Sequence, residues 1–130
     1  MVAGAASAAP CTETAKTADS IKCVEDHWQA AFIGGDDAYL SQLLSDGYQS
    51  YSATGDGHDR AAIIGFAKDY AKAHPHDKPA PPPMAPDVQI RGDVAVVFWR
   101  DKGKLTSVDS FYWSDNRWHA WYSQHASTSK

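Results

Sequence analysis

Apolar residues recur at helical spacing in the first part of the chain. Through residues 19–33 they follow one another every three or four positions, and Gly34-Gly35 then provides a helix stop. Next, Asp36 or Asp37 can cap a second, short amphipathic helix, which Asp46-Gly47 ends. The pattern therefore predicts two helices in close succession.

A strand and a third helix follow these two helices. Residues 48–53 alternate aromatic and small polar side chains, as a half-buried strand does, and residues 54–57 have the composition of a turn. Asp59 is the predicted N-cap of the third helix. The buried stripe of that helix consists of Ile63, Phe66, Ala67 and Tyr70.

The last part of the chain has the pattern of a sheet. Residues 74–86 hold all but one of the prolines, so they form an extended loop rather than a helix or a central strand. Short turns separate the strands that follow, which predicts antiparallel hairpins. The predicted strands span residues 87–90, 94–100, 105–113 and 117–126. Because both of their faces carry large apolar side chains, we expect helices on one face and a second copy on the other, in a homodimer through the sheet.

Length and charge limit the possible classes of protein. A chain of 130 residues with 43% hydrophobic residues suits one globular domain, which we place at residues 19–127. The formal net charge is −4, and no run of Lys or Arg exceeds two residues, so the composition argues against nucleic acid as a partner. The sequence predicts no membrane span.

We expect residues 1–18 to form a flexible N-terminal segment. Its first ten residues are small and uncharged and have the composition of a signal-peptide remnant; the alternative is a disordered alanine-rich tail. Cys11 and Cys23 are twelve residues apart, and a disulfide between them would pin the segment to the first helix. Cys23 could equally be an ordinary buried thiol. Export and a disulfide would support each other, so we expect a periplasmic or secreted protein, and otherwise a cytoplasmic one.

Asp109 is the first candidate for chemistry. It interrupts an aromatic-rich strand, where an ionised side chain is costly to bury without a partner. It is either a general base or ligand-orienting acceptor in a pocket, or a structural acceptor for a neighbouring side chain. His125 and His58 are candidate proton carriers beside it, although each could be a solvated or edge residue. Strict strand alternation places His119, Trp121, Ser123 and His125 on one face.

A set of aromatic residues could line an apolar cavity suited to a flat organic ligand, or could simply fill the core. These candidate ligand-binding residues are Trp28, Phe32, Tyr51, Phe66, Phe98, Phe111 and Trp121. The sequence predicts no metal site, since His74 and His76 lie in the proline-rich loop without further ligands at metal spacing. It also predicts no cofactor, because dinucleotide and phosphate-binding fingerprints are missing from it.

Local sequences resemble those of a known family. They are Glu25–Phe32 with Gly35-Asp36, Leu43–Tyr48, Gly92–Val97, Asn116–Trp118 and Ser123–Ala126. Together with the order of elements, they resemble the nuclear transport factor 2-like (NTF2-like) superfamily, in particular its SnoaL-like and DUF4440-type members, over about residues 20–127. The resemblance implies an α+β, cone-shaped fold in which three N-terminal helices pack in a curved antiparallel sheet. It also implies a pocket inside the cone and often a dimer across the sheet.

The resemblance leaves the function open, because this superfamily includes both enzymes and members of unknown activity. Ketosteroid-isomerase-like members place a catalytic carboxylate on or just after the first strand, whereas residues 48–53 contain no Asp or Glu. The leading hypothesis is therefore a domain of unknown specific function that binds a small apolar or aromatic molecule in its cone. A cofactor-free acid-base lyase, isomerase or hydrolase using Asp109 with a histidine is the second hypothesis. A dimeric interaction or assembly module, with a filled cone, is the third.

Overall fold

Each helix begins at a polar side chain that accepts a backbone N–H group. The computed structural model describes residues 11–81 and 85–126. In it the Thr17 hydroxyl accepts from the amide of Ser20 at 3.1 Å, and the carboxylates of Asp36 and Asp59 cap the second and third helices in the same way. The helices are α1 (Ala18–Gly34), α2 (Asp37–Leu43) and α3 (Arg60–Ala73). All three predicted helices are present, but α2 ends before Asp46-Gly47 because the chain already turns into a strand at Leu44.

Six strands form one mixed sheet. They are β1 (Leu44–Tyr51), β2 (Gly57–Asp59), β3 (Asp87–Arg91), β4 (Val94–Asp101), β5 (Lys104–Ser114) and β6 (Arg117–His125), in the order β2-β1-β6-β5-β4-β3. The predicted hairpins of β3 to β6 are confirmed as antiparallel pairs. The prediction of a wholly antiparallel sheet is wrong, because β1 pairs in parallel with β6. The three-residue strand β2, which pairs with the end of β1, was too short for the sequence pattern to reveal.

A register shift in β6 changes which side chains reach the helices. Phe111 pairs with Ala120 and Ser110 pairs with Tyr122, so Trp121 is an extra residue that forms a bulge. Before the bulge Trp118 and Ala120 are buried beneath the helices, and after it Ser123 is buried on that same inner face. Strict alternation predicted a single face for His119, Trp121, Ser123 and His125. This prediction is wrong, because the bulge places Ser123 on the inner face and leaves Trp121 on the outer face. One added residue reverses the side to which all later side chains point.

The core lies between the helices and the inner face of the sheet. Its largest buried side chains are Trp118, Tyr48, Phe111, Ile21 and Leu40. Gly35 ends α1 with a positive φ of 66°, and a Cβ atom added there would lie 2.9 Å from the Cβ of Ala71 on α3. The glycine therefore permits both the helix end and the close approach of α1 to α3.

The described part of the N-terminal segment, residues 11–17, contacts the domain, whereas we predicted a flexible segment up to residue 18. Cys11 and Cys23 form a disulfide with their Cα atoms 5.6 Å apart. The carboxylate of Glu13 accepts a hydrogen bond from the Tyr39 hydroxyl at 2.6 Å, and the Trp118 indole donates to the carbonyl of Ala15 at 3.0 Å. The predicted signal-peptide remnant, residues 1–10, lies outside the described residues.

Candidate functional site

A cavity of about 880 Å³ lies between α1, α3 and the inner face of the sheet. Its walls are largely aromatic and aliphatic, and its polar groups come mainly from α1, β1, β4, β5 and β6. The apolar wall includes Trp28, Phe32, Ile63, Phe66, Tyr70 and Trp99. A volume of this size lies within the range of small-molecule pockets, roughly 300–1,000 Å³.

A chain of hydrogen bonds crosses the inner face of the sheet at this cavity. The Tyr48 hydroxyl donates to Ser123 Oγ at 2.7 Å, and Ser123 Oγ donates to Asp109 Oδ1 at 2.7 Å. Tyr48 lies on β1, Ser123 on β6 and Asp109 on β5, so the pairing of three strands sets the geometry. Burial raises the pKa of Tyr48 above the ordinary tyrosine value, which keeps its phenol protonated as a donor.

Glu25 lies beside Asp109 at the buried side of the cavity. Glu25 is only 7% exposed and Asp109 only 8%, and their carboxyl groups are close enough to form a hydrogen bond with each other. The Trp99 indole donates to Glu25 Oε2 at 3.2 Å. Burial, and then the negative charge of Asp109, raise the pKa of Glu25 well above its usual range. The raised pKa favours the protonated form of Glu25, whose proton can then be donated to Asp109.

The candidate catalytic residues are only partly brought together. Asp109 lines the cavity, and His125 lines it as an exposed residue at the end of β6. His58 is not among the lining residues: it lies on β2 and packs edge-on against Phe66, with ring centroids 5.1 Å apart. The expectation that His58 shares a cavity with Asp109 does not hold, because the short strand β2 carries it to the edge of the sheet.

The aromatic candidates divide into three groups. Trp28, Phe32 and Phe66 line the cavity. Phe111 is fully buried and packs edge-on against Trp28, so it supports the wall from behind without being one of the lining residues. Tyr51, Phe98 and Trp121 lie on the outer face of the sheet and do not line the cavity. Their strands place them one position out of phase with the buried residues Ser50, Val97 and Ala120.

Glu25, Ser123 and Tyr48 belong to the site but were not among the sequence candidates. The signal for Glu25 was available, because it lies four residues after Ile21 and directly follows Val24 on the apolar stripe of α1. A carboxyl group on the buried face of a helix needs a partner in the interior. Ser123 had no such signal, since the bulge that turns it inward is invisible in the sequence.

Within residues 11–81 and 85–126, no cluster of three or more His, Cys, Asp or Glu side chains has the geometry of a metal site. The helices of that same part of the chain include none that is long and apolar enough to cross a membrane.

The fold is shared with several solved structures. An NTF2-like protein of unknown function from Silicibacter pomeroyi is 16% identical and superposes with a TM-score of 0.63 over 80% of this chain and 89% of that chain. An uncharacterized protein with a cystatin-like fold from Caulobacter vibrioides is 9% identical, with a TM-score of 0.61 over 82% and 85% of the two chains. The CamKII hub homology domain of Chlamydomonas reinhardtii is 16% identical, with a TM-score of 0.53 over 82% and 94%.

These likenesses establish the fold: the chain is an α+β protein with the cone-shaped NTF2-like fold. No protein-family model matches the sequence, and no curated protein shows significant similarity to it. The SnoaL-like or DUF4440-type subtype that the local motifs suggested stays a prediction.

Proposed function

We propose that the protein binds a small, largely apolar or aromatic molecule inside the cone. The observation that carries this proposal is the cavity of about 880 Å³ with aromatic walls and one buried polar cluster, Glu25 with Asp109. Binding pockets combine these two features, since apolar walls supply affinity and a few polar groups fix orientation. The open cavity favours this function over that of an assembly module alone, for which a filled cone was expected.

The test is a fluorescence titration with the neutral apolar probe N-phenyl-1-naphthylamine. Ser107 and Ser110 are both half-buried on β5, but Ser107 lines the cavity and Ser110 faces the other side of the sheet. We expect saturable binding to the wild type and to Ser110→Trp, and its loss in Ser107→Trp, whose indole would occupy the cavity. Equal binding by both variants would show that the probe binds elsewhere.

A second candidate function is cofactor-free acid-base catalysis. It is favoured by one observation, two neighbouring buried carboxyl groups beside an apolar cavity, because such a pair can accept and return protons. The partner of Asp109 in this candidate is Glu25 rather than a histidine. Exchange of the α-protons of α-tetralone in deuterated water, followed by NMR, tests it: the wild type should accelerate exchange and Asp109→Asn should not. Equal rates for the two proteins would remove this candidate.

A homodimer through the outer face of the sheet is part of the proposal. Trp121 and Tyr122 on β6 and Val94 on β4 are 50%, 41% and 39% exposed on that face, and only β5 separates the two strands. Exposed large apolar side chains grouped in this way are typical of an interaction surface. Sedimentation velocity should give a dimer for the wild type and for Ala38→Glu, a control on the exposed surface of α2. Trp121→Glu should be monomeric, and a monomeric wild type at micromolar concentration would end this part of the proposal.

Export to the periplasm or the outside of the cell is also proposed. The disulfide between Cys11 and Cys23 supports it, because disulfides persist in oxidising compartments and are rare in the cytosol. Cell fractionation of the native host, with the protein detected by antibody, tests the location. Recovery with cytosolic markers would contradict it.

A further inference from the structure

The side-chain donors around the carboxyl pair donate to other protein groups and not into the cavity. Tyr48, Ser123 and Trp99 each have one polar hydrogen on their side chain, and each donates it within the network. The pKa of Glu25 is raised in part by a hydrogen bond to Asp109, so a proton on Glu25 is directed at Asp109. At the carboxyl pair itself, the atoms that remain for a ligand are oxygens with free lone pairs, which accept hydrogen bonds.

The carboxyl pair is buried without a cationic partner among the described residues. Asp109 and Glu25 are each more than nine-tenths buried, and a carboxylate formed by either one is a buried negative charge. Within the described part of the chain, neither takes part in an ion pair. Arg100 lines the cavity, but its guanidinium is 3.6 Å from a carboxylate oxygen of Asp87 and lies over the ring of Phe98. A buried anion without a cationic partner is costly, and a bound cation would offset that cost.

The remainder of the cavity favours the same sign of charge. Asp26 and Asp101 are exposed lining residues, so carboxylates outnumber the fully charged cation Arg100 there. This arrangement attracts cations and repels anions at the entrance. The rings of Trp28 and Trp99 add electron-rich faces on which a cation or an aromatic body can rest.

From these observations we infer that the ligand is a protonated organic amine with an aromatic or apolar body, whose ammonium group binds against Asp109 and Glu25. The inference rests on the proposed function and specifies the ligand class for the same cavity. The ammonium supplies both the missing hydrogen-bond donors and the missing positive charge, and the walls hold the body.

Three naphthalene compounds with the same ring and a different polar group test the ligand class. They are 1-naphthylmethylamine, 1-naphthalenemethanol and 1-naphthoate, titrated into the wild-type protein near neutral pH by calorimetry. We expect the amine to bind about tenfold or more tightly than the alcohol, as befits a hydrogen bond to a buried charge, and the carboxylate to bind weakest. An alcohol or carboxylate that binds as well as the amine would overturn the ligand class while leaving pocket binding intact. If none of the three binds, both proposals fail.

Two variants test whether the preference for the amine over the alcohol arises at the carboxyl pair. In Asp109→Asn the carboxyl group that accepts from Ser123 is replaced by an amide that can donate, so the amine should lose most of its advantage over the alcohol. Glu25→Gln leaves the charge on Asp109 and should keep the amine preference. The wild-type series stands by itself if either variant fails to fold, and an undiminished amine preference in a folded Asp109→Asn variant would contradict the inference.

Discussion

Ser123 lies directly opposite Asp109 in the pairing of β6 with β5, and its hydroxyl donates to Asp109 Oδ1 at 2.7 Å. The same hydroxyl accepts from Tyr48, so one small side chain links the phenol on β1 to the carboxyl pair. This relationship exists because the bulge at Trp121 returns Ser123 to the inner face. The polar end of the cavity therefore depends on an irregularity in β6, the last strand of the chain, which lies inside the sheet between β1 and β5.

Replacement of Ser123 by Ala should destabilise the protein. It would remove the acceptor of the Tyr48 hydroxyl at Ser123 and the Ser123 donor to Asp109, at a cost of about 1–3 kcal/mol in the free energy of unfolding. Ser110→Ala, on the outer side of β5, is the matched control and should change that free energy by about 0.5 kcal/mol or less. Urea denaturation followed by tryptophan fluorescence measures both. Equal losses in the two variants would mean that the hydrogen-bond chain has no special role.

The stability of the wild type should fall as the pH rises above the ordinary glutamate range. The folded state holds the Glu25 proton more tightly than the unfolded state, because burial and Asp109 raise its pKa, and Asp26 raises it further. The charge of Glu25 in turn contributes to the raised pKa values of Tyr39 and Tyr48. A raised pKa of an acid gives stability that is complete below the ordinary glutamate pKa of 4.5 and is lost as the pH rises through the pKa of the folded state.

The check is a series of urea denaturations in that pH window. Glu25→Gln cannot lose a proton, so its free energy of unfolding should decline less than that of the wild type. Asp26→Asn, an exposed neighbour on α1, should follow the wild type. A wild-type profile that rises with pH, or one that Glu25→Gln reproduces, would show that Glu25 does not hold its proton in the folded protein.

Replacement by Ala should change the free energy of unfolding in opposite directions at the two adjacent glycines that end α1. Gly34 is helical with no atom within 4 Å of an added Cβ, so Gly34→Ala should raise the free energy of unfolding by up to about 1 kcal/mol. Gly35 has a φ of 66° and the short approach to Ala71, so Gly35→Ala should lower it by about 1 kcal/mol or more. Thermal unfolding followed by circular dichroism separates them. Stabilisation by both substitutions would contradict the tight packing of α1 on α3.

Removal of the disulfide should loosen the N-terminal segment. The bridge joins residues twelve apart, and the loop-entropy argument gives about 3 kcal/mol for a loop of this length. The double variant Cys11→Ser with Cys23→Ser should therefore unfold at a lower temperature than the wild type, and reductant should lower the wild-type value without affecting the variant. Unchanged unfolding of both would mean that the contacts of Glu13 and Ala15 hold the segment without the bridge.

The sequence was sufficient to predict the helices and the C-terminal hairpins. Capping residues such as Asp59 and turns such as Asp115-Asn116 carry local signals, and the structure uses both. It also identified Asp109, because a carboxylate within an aromatic strand conflicts with its surroundings. It did not reveal the parallel pairing of β1 with β6, since Gln49 and Tyr122 are partners far apart in the chain and no local pattern specifies that contact.

The rest of the site was hidden for similar reasons. Alternation counted from His119 placed Ser123 and Trp121 on the same face, and only the tertiary pairing shows the bulge that separates them. Tyr51 and Phe98 were grouped with the cavity by residue type, but strand phase places them on the outer face. The aromatic composition can therefore suggest a pocket, but the strand pairing decides which aromatic residues line it.

The most direct test of binding inside the cone is a crystal structure of the protein grown with N-phenyl-1-naphthylamine. We expect density for the probe between α1 and the inner face of the sheet, in contact with Trp28 and Phe32 and extending toward Asp109. A cavity without the probe, or density only on the outer face at Trp121, would contradict the claim that the cone is the binding site.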